Sequence, residues 1–75
     1  LQGARSDEAH ALLLECVKAD PTNGRAHALI GVCHAQAGNL EASVRSLETA
    51  VLLLPDDTAI QYNLANALAQ AGRSD

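Results

Sequence analysis

The sequence predicts an all-α fold of four antiparallel helices, built as repeating helix pairs of about 34 residues each. Three observations lead there. The hydrophobic share of 48% comes almost wholly from Ala, Leu and Val, with Tyr62 the single aromatic side chain and no Phe, Trp or Met. Ala and Leu are strong helix formers, and the aromatic residues that favour strands are nearly missing. The helix breakers Pro21, Gly38, Pro55 and Gly72 stand at equal intervals and alternate in type, so the repeating unit is a helix pair that runs from one proline to the next. The tetrapeptide AQAG recurs with that same period, at 35–38 and 69–72. A plain four-helix bundle would share the Ala-Leu pattern, but nothing in a bundle keeps the breakers in register.

Each helix has its own start and stop signals. Ser6 is the expected N-cap of a helix over 6–19, whose first turn would hold Asp7 and Glu8 at the positive end of the dipole and which Pro21 closes. Thr22 or Asn23 caps the second helix, 23–37, and Gly38 ends it. Asn39 caps the third, 40–54, with Glu41 in its first turn and Pro55 just beyond it. Asp56 or Asp57 caps the fourth, 57–71, which stops at Gly72. Links of a few residues oblige successive helices to pack antiparallel.

Composition excludes several kinds of function. A chain of 75 residues buries only about 60% of its unfolded surface, too little for a large enzyme core. The net charge of −4 arises from nine acidic and five basic residues scattered along the sequence, which leaves no basic footprint for nucleic acid. No apolar run approaches the roughly 20 residues that span a bilayer, so the chain reads as soluble. Two cysteines, Cys16 and Cys33, are too few for a disulfide framework; as buried free thiols they would favour the cytoplasm.

The spacing His27, Ile30-Gly31, His34, Ser43, Leu47, Pro55 resembles the tetratricopeptide repeat, whose marks are Trp, Leu-Gly, Tyr, Ala, Phe and Pro. The next copy reads Gln61, Leu64-Ala65, Leu68, and the preceding one enters midway with Ala9, Leu13 and Pro21. The resemblance covers essentially the whole chain. It implies one domain, or an excerpt of one, over 1–75: the second helix of one repeat, one complete repeat and the first helix of a third, stacked as a right-handed α-solenoid.

At 100° per residue, His27, Ile30, Gly31 and His34 share one side of the second helix, which meets the partner helix, and Arg25, Ala28, Val32 and Gln36 share the other. Gly31 and Ala65, with Ala9, Cys16 and Ala50 on the partner helices, are small enough for close approach, and Leu13, Val17, Val44, Leu47, Val51 and Leu54 supply bulk. His27 and His34 stand where the family has aromatic rings, so they read as core filling; no pair at zinc-ligand spacing occurs, and neither a metal nor a cofactor is expected. No nucleophile has a base at a recognised spacing and no glycine-rich phosphate loop is present, so no catalytic residue is assigned. Glu41 and Arg45, four apart, form an ordinary surface pair.

The resemblance further implies a non-enzymatic protein-interaction module with a concave groove for a peptide or protein segment. Carried onto this sequence, that groove comprises Arg25, Ala28, Leu29, Val32, Ala35 and Gln36, continued by Ala59, Tyr62, Asn63, Asn66, Ala69 and Gln70. Leu29 and Val32 would form an apolar wall, Asn63, Asn66 and Gln70 would pair with a peptide backbone, and Tyr62 would anchor it. The carboxylate clamp of some relatives is not supported, since Arg25 is the only cation on that face. The asparagine ladder of others is broken at Leu29. Asn63 and Asn66 also read as a merely solvated face.

Two rival readings come from the ends. Leu13 on the first helix, and Ile60, Leu64 and Leu68 on the last, would lack a covering helix and could drive assembly of a homo-oligomer. Alternatively the chain is the substrate-presenting arm of a larger enzyme such as a transferase.

Overall fold

The computed structural model describes residues 2–72, with side chains from Glu8 onward. Four helices follow one another: α1 (Gln2–Ala19), α2 (Gly24–Gln36), α3 (Leu40–Leu53) and α4 (Thr58–Gln70), and no strand occurs among the described residues. α2 packs on α1, α3 and α4, while α3 also packs on α4. The Cα trace measures 34 × 27 × 16 Å. The shortest dimension is that of two packed helices, whose axes lie roughly 8–10 Å apart.

The predicted caps hold at two of the four starts. Asn23 Oδ1 accepts from the Ala26 amide (3.1 Å), and Asp57 Oδ1 accepts from Ala59 (3.0 Å) and Ile60 (3.2 Å). Each carboxyl or amide oxygen thus satisfies amides that have no intrahelical partner. Asn39 occupies the third N-cap position without a side-chain cap bond; its carbonyl accepts from Ser43 N at 2.9 Å. Its main chain is engaged elsewhere, because the Asn39 amide donates to His34 O (2.8 Å) and the Gly38 amide to Ala35 O (3.1 Å). That pair of bonds is a Schellman closure of α2, and it requires the left-handed backbone that Gly38 supplies at φ +86°. The AQAG tetrapeptide is therefore the last turn of a helix and the glycine that reverses it. Gly72 repeats the conformation at φ +75°.

The first start departs from expectation. α1 begins at Gln2, so Ser6 lies within the helix rather than capping it, and the first turn carries no acidic residue. Gln, Ala and Arg are good helix formers, so the segment before Ser6 propagates helix despite the cost of Gly3.

The core is formed by Ala28, Val44, Leu47, Ala50, Ile60 and Ala67, against which Val51, Leu54, Leu64 and Leu68 pack in part. Leu47, Val44 and Ser43 are its fully buried side chains of greatest volume. Several expectations are corrected here. Ile60 does not stand uncovered on an end face; it is buried among α3 residues, because α4 wedges its first turn against that helix. Ala28 belongs to the core and not to an open groove wall. A middle helix in a stack has neighbours on more than one side, so a single buried stripe does not describe α2. Ala9, Cys16 and Ala65, expected to mediate close packing, are exposed, whereas Ala50 is buried as expected.

Candidate functional site

The closest approach in the fold sets the floor of the site. A Cβ placed on Gly31 would lie 2.6 Å from Leu47 Cγ and 3.2 Å from the Ser43 carbonyl oxygen, so only glycine allows α2 and α3 to come this near. The gap is closed by a polar tie, in which the buried Ser43 hydroxyl donates to Gly31 O at 2.7 Å. A buried hydroxyl with its partner in place costs nothing in unpaired polarity and holds the two helices in one register.

Above this floor, α2 and α4 diverge and leave a cleft of about 240 Å³. Val32, Ala35 and Gln36 line it from α2, Ser43 and Leu47 from α3, and Asn63, Asn66, Ala67 and Gln70 from α4. Six of the predicted groove residues, Val32, Ala35, Gln36, Asn63, Asn66 and Gln70, are thus brought to one cavity. Its rim carries four carboxamides and its base is aliphatic, with no charged side chain in the lining. The volume falls below the roughly 300–1,000 Å³ of small-molecule sites, which suits one or two side chains of a longer ligand.

The other six predicted groove residues, Arg25, Ala28, Leu29, Ala59, Tyr62 and Ala69, stand outside it. Leu29 and Tyr62 are 50% and 67% exposed, and neither lines the cleft; nor does Arg25. Leu29 lies one turn before Val32 on α2 and Tyr62 one turn before Asn66 on α4, so they extend the same strip toward the helix starts. Sequence reasoning missed the contribution of Ser43, Leu47 and Ala67 to the floor. The signal was present in Ser43, a polar residue at the apolar phase of α3 next to Val44 and Leu47.

Of the proposed end residues, Leu13, Leu64 and Leu68 are half-buried and Ile60 is buried. The exposed large aliphatics are instead Leu12 and Leu14 on α1, Leu29 on α2 and Leu52 on α3.

The histidines do not fill the core. His27 is half-buried and its Nε2 lies 3.0 Å from Pro21 O, a geometry that asks for a proton on that nitrogen. Gln61, at the equivalent place one repeat later, renews the brace by donating from Nε2 to Pro55 O at 2.5 Å. His34 meets His10 edge to face, with ring centroids 4.8 Å apart. Burial, and then the nearby His10 charge, hold the His34 ring below its ordinary pKa of 6.5. Cys16 is an exposed free thiol and Cys33 a half-buried one, so neither is the buried thiol expected. No group of three or more metal-ligating side chains forms among the described residues. No helix among them is long and apolar enough to cross a membrane.

The helix pairs agree with comparison to known proteins. No curated protein matches the chain. A family profile described as tetratricopeptide repeat matches residues 2–58. With most of its length matched, and with a helical architecture to correspond, the chain belongs to the tetratricopeptide repeat family.

Proposed function

We propose that the chain is a non-enzymatic interaction module that takes an extended polypeptide segment into the cleft between α2 and α4. Membership of the tetratricopeptide repeat family supports a protein partner in general terms. The observation that carries the specific reading is the cleft's composition: Gln36, Asn63, Asn66 and Gln70 stand around an aliphatic base. Carboxamides donate and accept at once, so they pair with the alternating N–H and C=O groups of an extended main chain, while Val32, Leu47 and Ala67 receive one of its apolar side chains. Leu29 and Tyr62 continue the contact strip beyond the cleft.

The test is a random-peptide selection against the purified chain, followed by calorimetry. Asn63→Ala together with Asn66→Ala should weaken a selected peptide by about tenfold or more, on the order of the 1.4 kcal/mol or more that lost hydrogen bonds cost. Tyr62→Ala should weaken it if the peptide reaches the strip's far end. Unchanged affinity in both variants, with an intact fold, would refute cleft binding.

A second reading has its own support. Leu64 and Leu68 are only partly covered by the core and Leu13 only half-buried, which supports association between copies through α1 and α4. Light scattering separates the two: Leu64→Glu should return an assembled chain to monomer, whereas a parent that is monomeric at high concentration counts against assembly.

A further inference from the structure

The described side chains of α1 meet the rest of the molecule along a narrow strip. Of its side chains from Glu8 to Ala19, only His10, Leu13 and Val17 are even half-buried, and none is fully buried. Their spacing of three and then four residues places them on one helix face. At one end of this strip His10 meets His34 of α2, centroids 4.8 Å apart and rings inclined at 74°. One of these described anchors therefore grips a titratable side chain, His34. The packing of α2, α3 and α4, by contrast, rests on the aliphatic cluster around Leu47.

Among the described residues, the charge that bears on His34 is that of His10. The ionisable side chains Glu8, Glu15 and Lys18 of α1 are exposed, as are Arg25 of α2, Glu41, Arg45 and Glu48 of α3 and Tyr62 of α4. His27 engages the Pro21 carbonyl, Asp57 is committed to the α4 amides, and Cys33 beside His34 is half-buried. A proton on His34 is disfavoured here, because the ring loses solvation in the seam and faces the charge of His10.

We infer that the His10–His34 contact is an acid-released latch, in which protonation of His34 against the His10 ring frees α1 from α2 while α2, α3 and α4 stay packed. The sign follows from linkage. A ring whose folded pKa lies below its ordinary 6.5 stabilises the closed form fully above that pH, and the contribution is lost as pH falls toward the folded value. Mild acid would thus uncover the side of α2 that α1 covers and leave the cleft between α2 and α4 in place.

Hydrogen exchange read by mass spectrometry on the 75-residue chain tests this, with rates corrected for intrinsic pH dependence. Below pH 6.5, protection of α1 amides over 11–19 should fall by up to roughly tenfold per pH unit as His34 takes up its proton, while α3 protection holds. His34→Phe, which replaces the titrating ring by a neutral one, and His10→Phe, which removes the charge facing it, should each flatten the α1 response. Two single variants keep the test open if one of them disturbs the seam. The latch is overturned if α1 protection is independent of pH, if α1 and α3 lose protection together, if α1 is already unprotected at neutral pH, or if both variants retain the parent's response.

Discussion

Replacing Gly31 by alanine separates packing from helix propensity, because the two predict opposite signs. Propensity alone favours alanine by about 1 kcal/mol in a helix interior. The structure opposes it, since the added Cβ would sit 2.6 Å from Leu47 Cγ and 3.1 Å from Leu47 Cδ2. Leu47 is 1% exposed and has nowhere to move, and the Ser43 carbonyl at 3.2 Å is main chain. Restoring ordinary carbon–carbon contact at about 3.5 Å then requires α2 to retreat by about 0.9 Å. The same retreat stretches the Ser43 Oγ to Gly31 O bond from 2.7 Å to about 3.6 Å, beyond hydrogen-bonding range. Overpacking costs about 1–3 kcal/mol and an orphaned buried hydroxyl about 1–3 kcal/mol. Because one movement eases the first by incurring the second, the two costs do not add in full and come together to about 2–4 kcal/mol, so that after the propensity gain of about 1 kcal/mol the net loss is about 1–3 kcal/mol. A 75-residue domain has about 4–11 kcal/mol in total, and each kcal/mol moves its melting point by about 4–8 °C. Thermal and urea melts of Gly31→Ala should accordingly show a drop of at least about 4 °C. A variant as stable as the parent, or more so, would refute the close approach as the element that fixes α2 on α3.

Other consequences are open to the same melts. Leu47→Ala should cost about 2–5 kcal/mol through lost burial and a residual cavity, so that a parent-like melt would remove Leu47 from the core. Asp57→Ala should cost about 0.5–2 kcal/mol, while Asn39→Ala, which removes no side-chain cap bond, should cost clearly less; equal losses would contradict the cap geometry. The Asp20 carboxyl is held below its ordinary pKa of 3.8 by the Thr22 hydroxyl at 2.6 Å and the Thr22 amide at 3.1 Å. Its contribution to stability is present above pH 3.8 and lost as pH falls through the lower folded value, and Thr22→Ala should raise the Asp20 pKa in an NMR titration.

Much of this fold was legible because its signals are local. Proline, glycine and a capping Asn or Asp act within a turn of where they stand, so α2, α3 and α4 could be bounded from the residues alone. α1 was less legible at its start, where Ser6 offers a cap that the preceding helix formers override. The site was legible in part for a geometric reason. Periodicity gives the side of a helix a residue occupies, which put Val32 and Gln36 together on α2; Asn63, Asn66 and Gln70 joined them through what the family resemblance implies. It does not tell how many neighbours a helix has, and so it turned Ala28 outward when α2 packs on three others. Nor does it show where two helices part, which is why Leu29 and Tyr62 share the strip but not the cleft. The ring contact of His10 with His34 joins helices whose relative rotation no single-helix argument supplies.

The central claim, that the cleft between α2 and α4 receives a polypeptide, is tested most directly by mapping amide shifts in the NMR spectrum as a selected peptide is titrated in. Shifts should concentrate at Val32 to Gln36 and Asn63 to Gln70, with the Asn63, Asn66 and Gln70 side-chain amides among the largest, and the affinity should change little with salt because the lining carries no charge. Shifts confined to α1 and the outer side of α3, with the cleft amides unmoved at saturation, would contradict it.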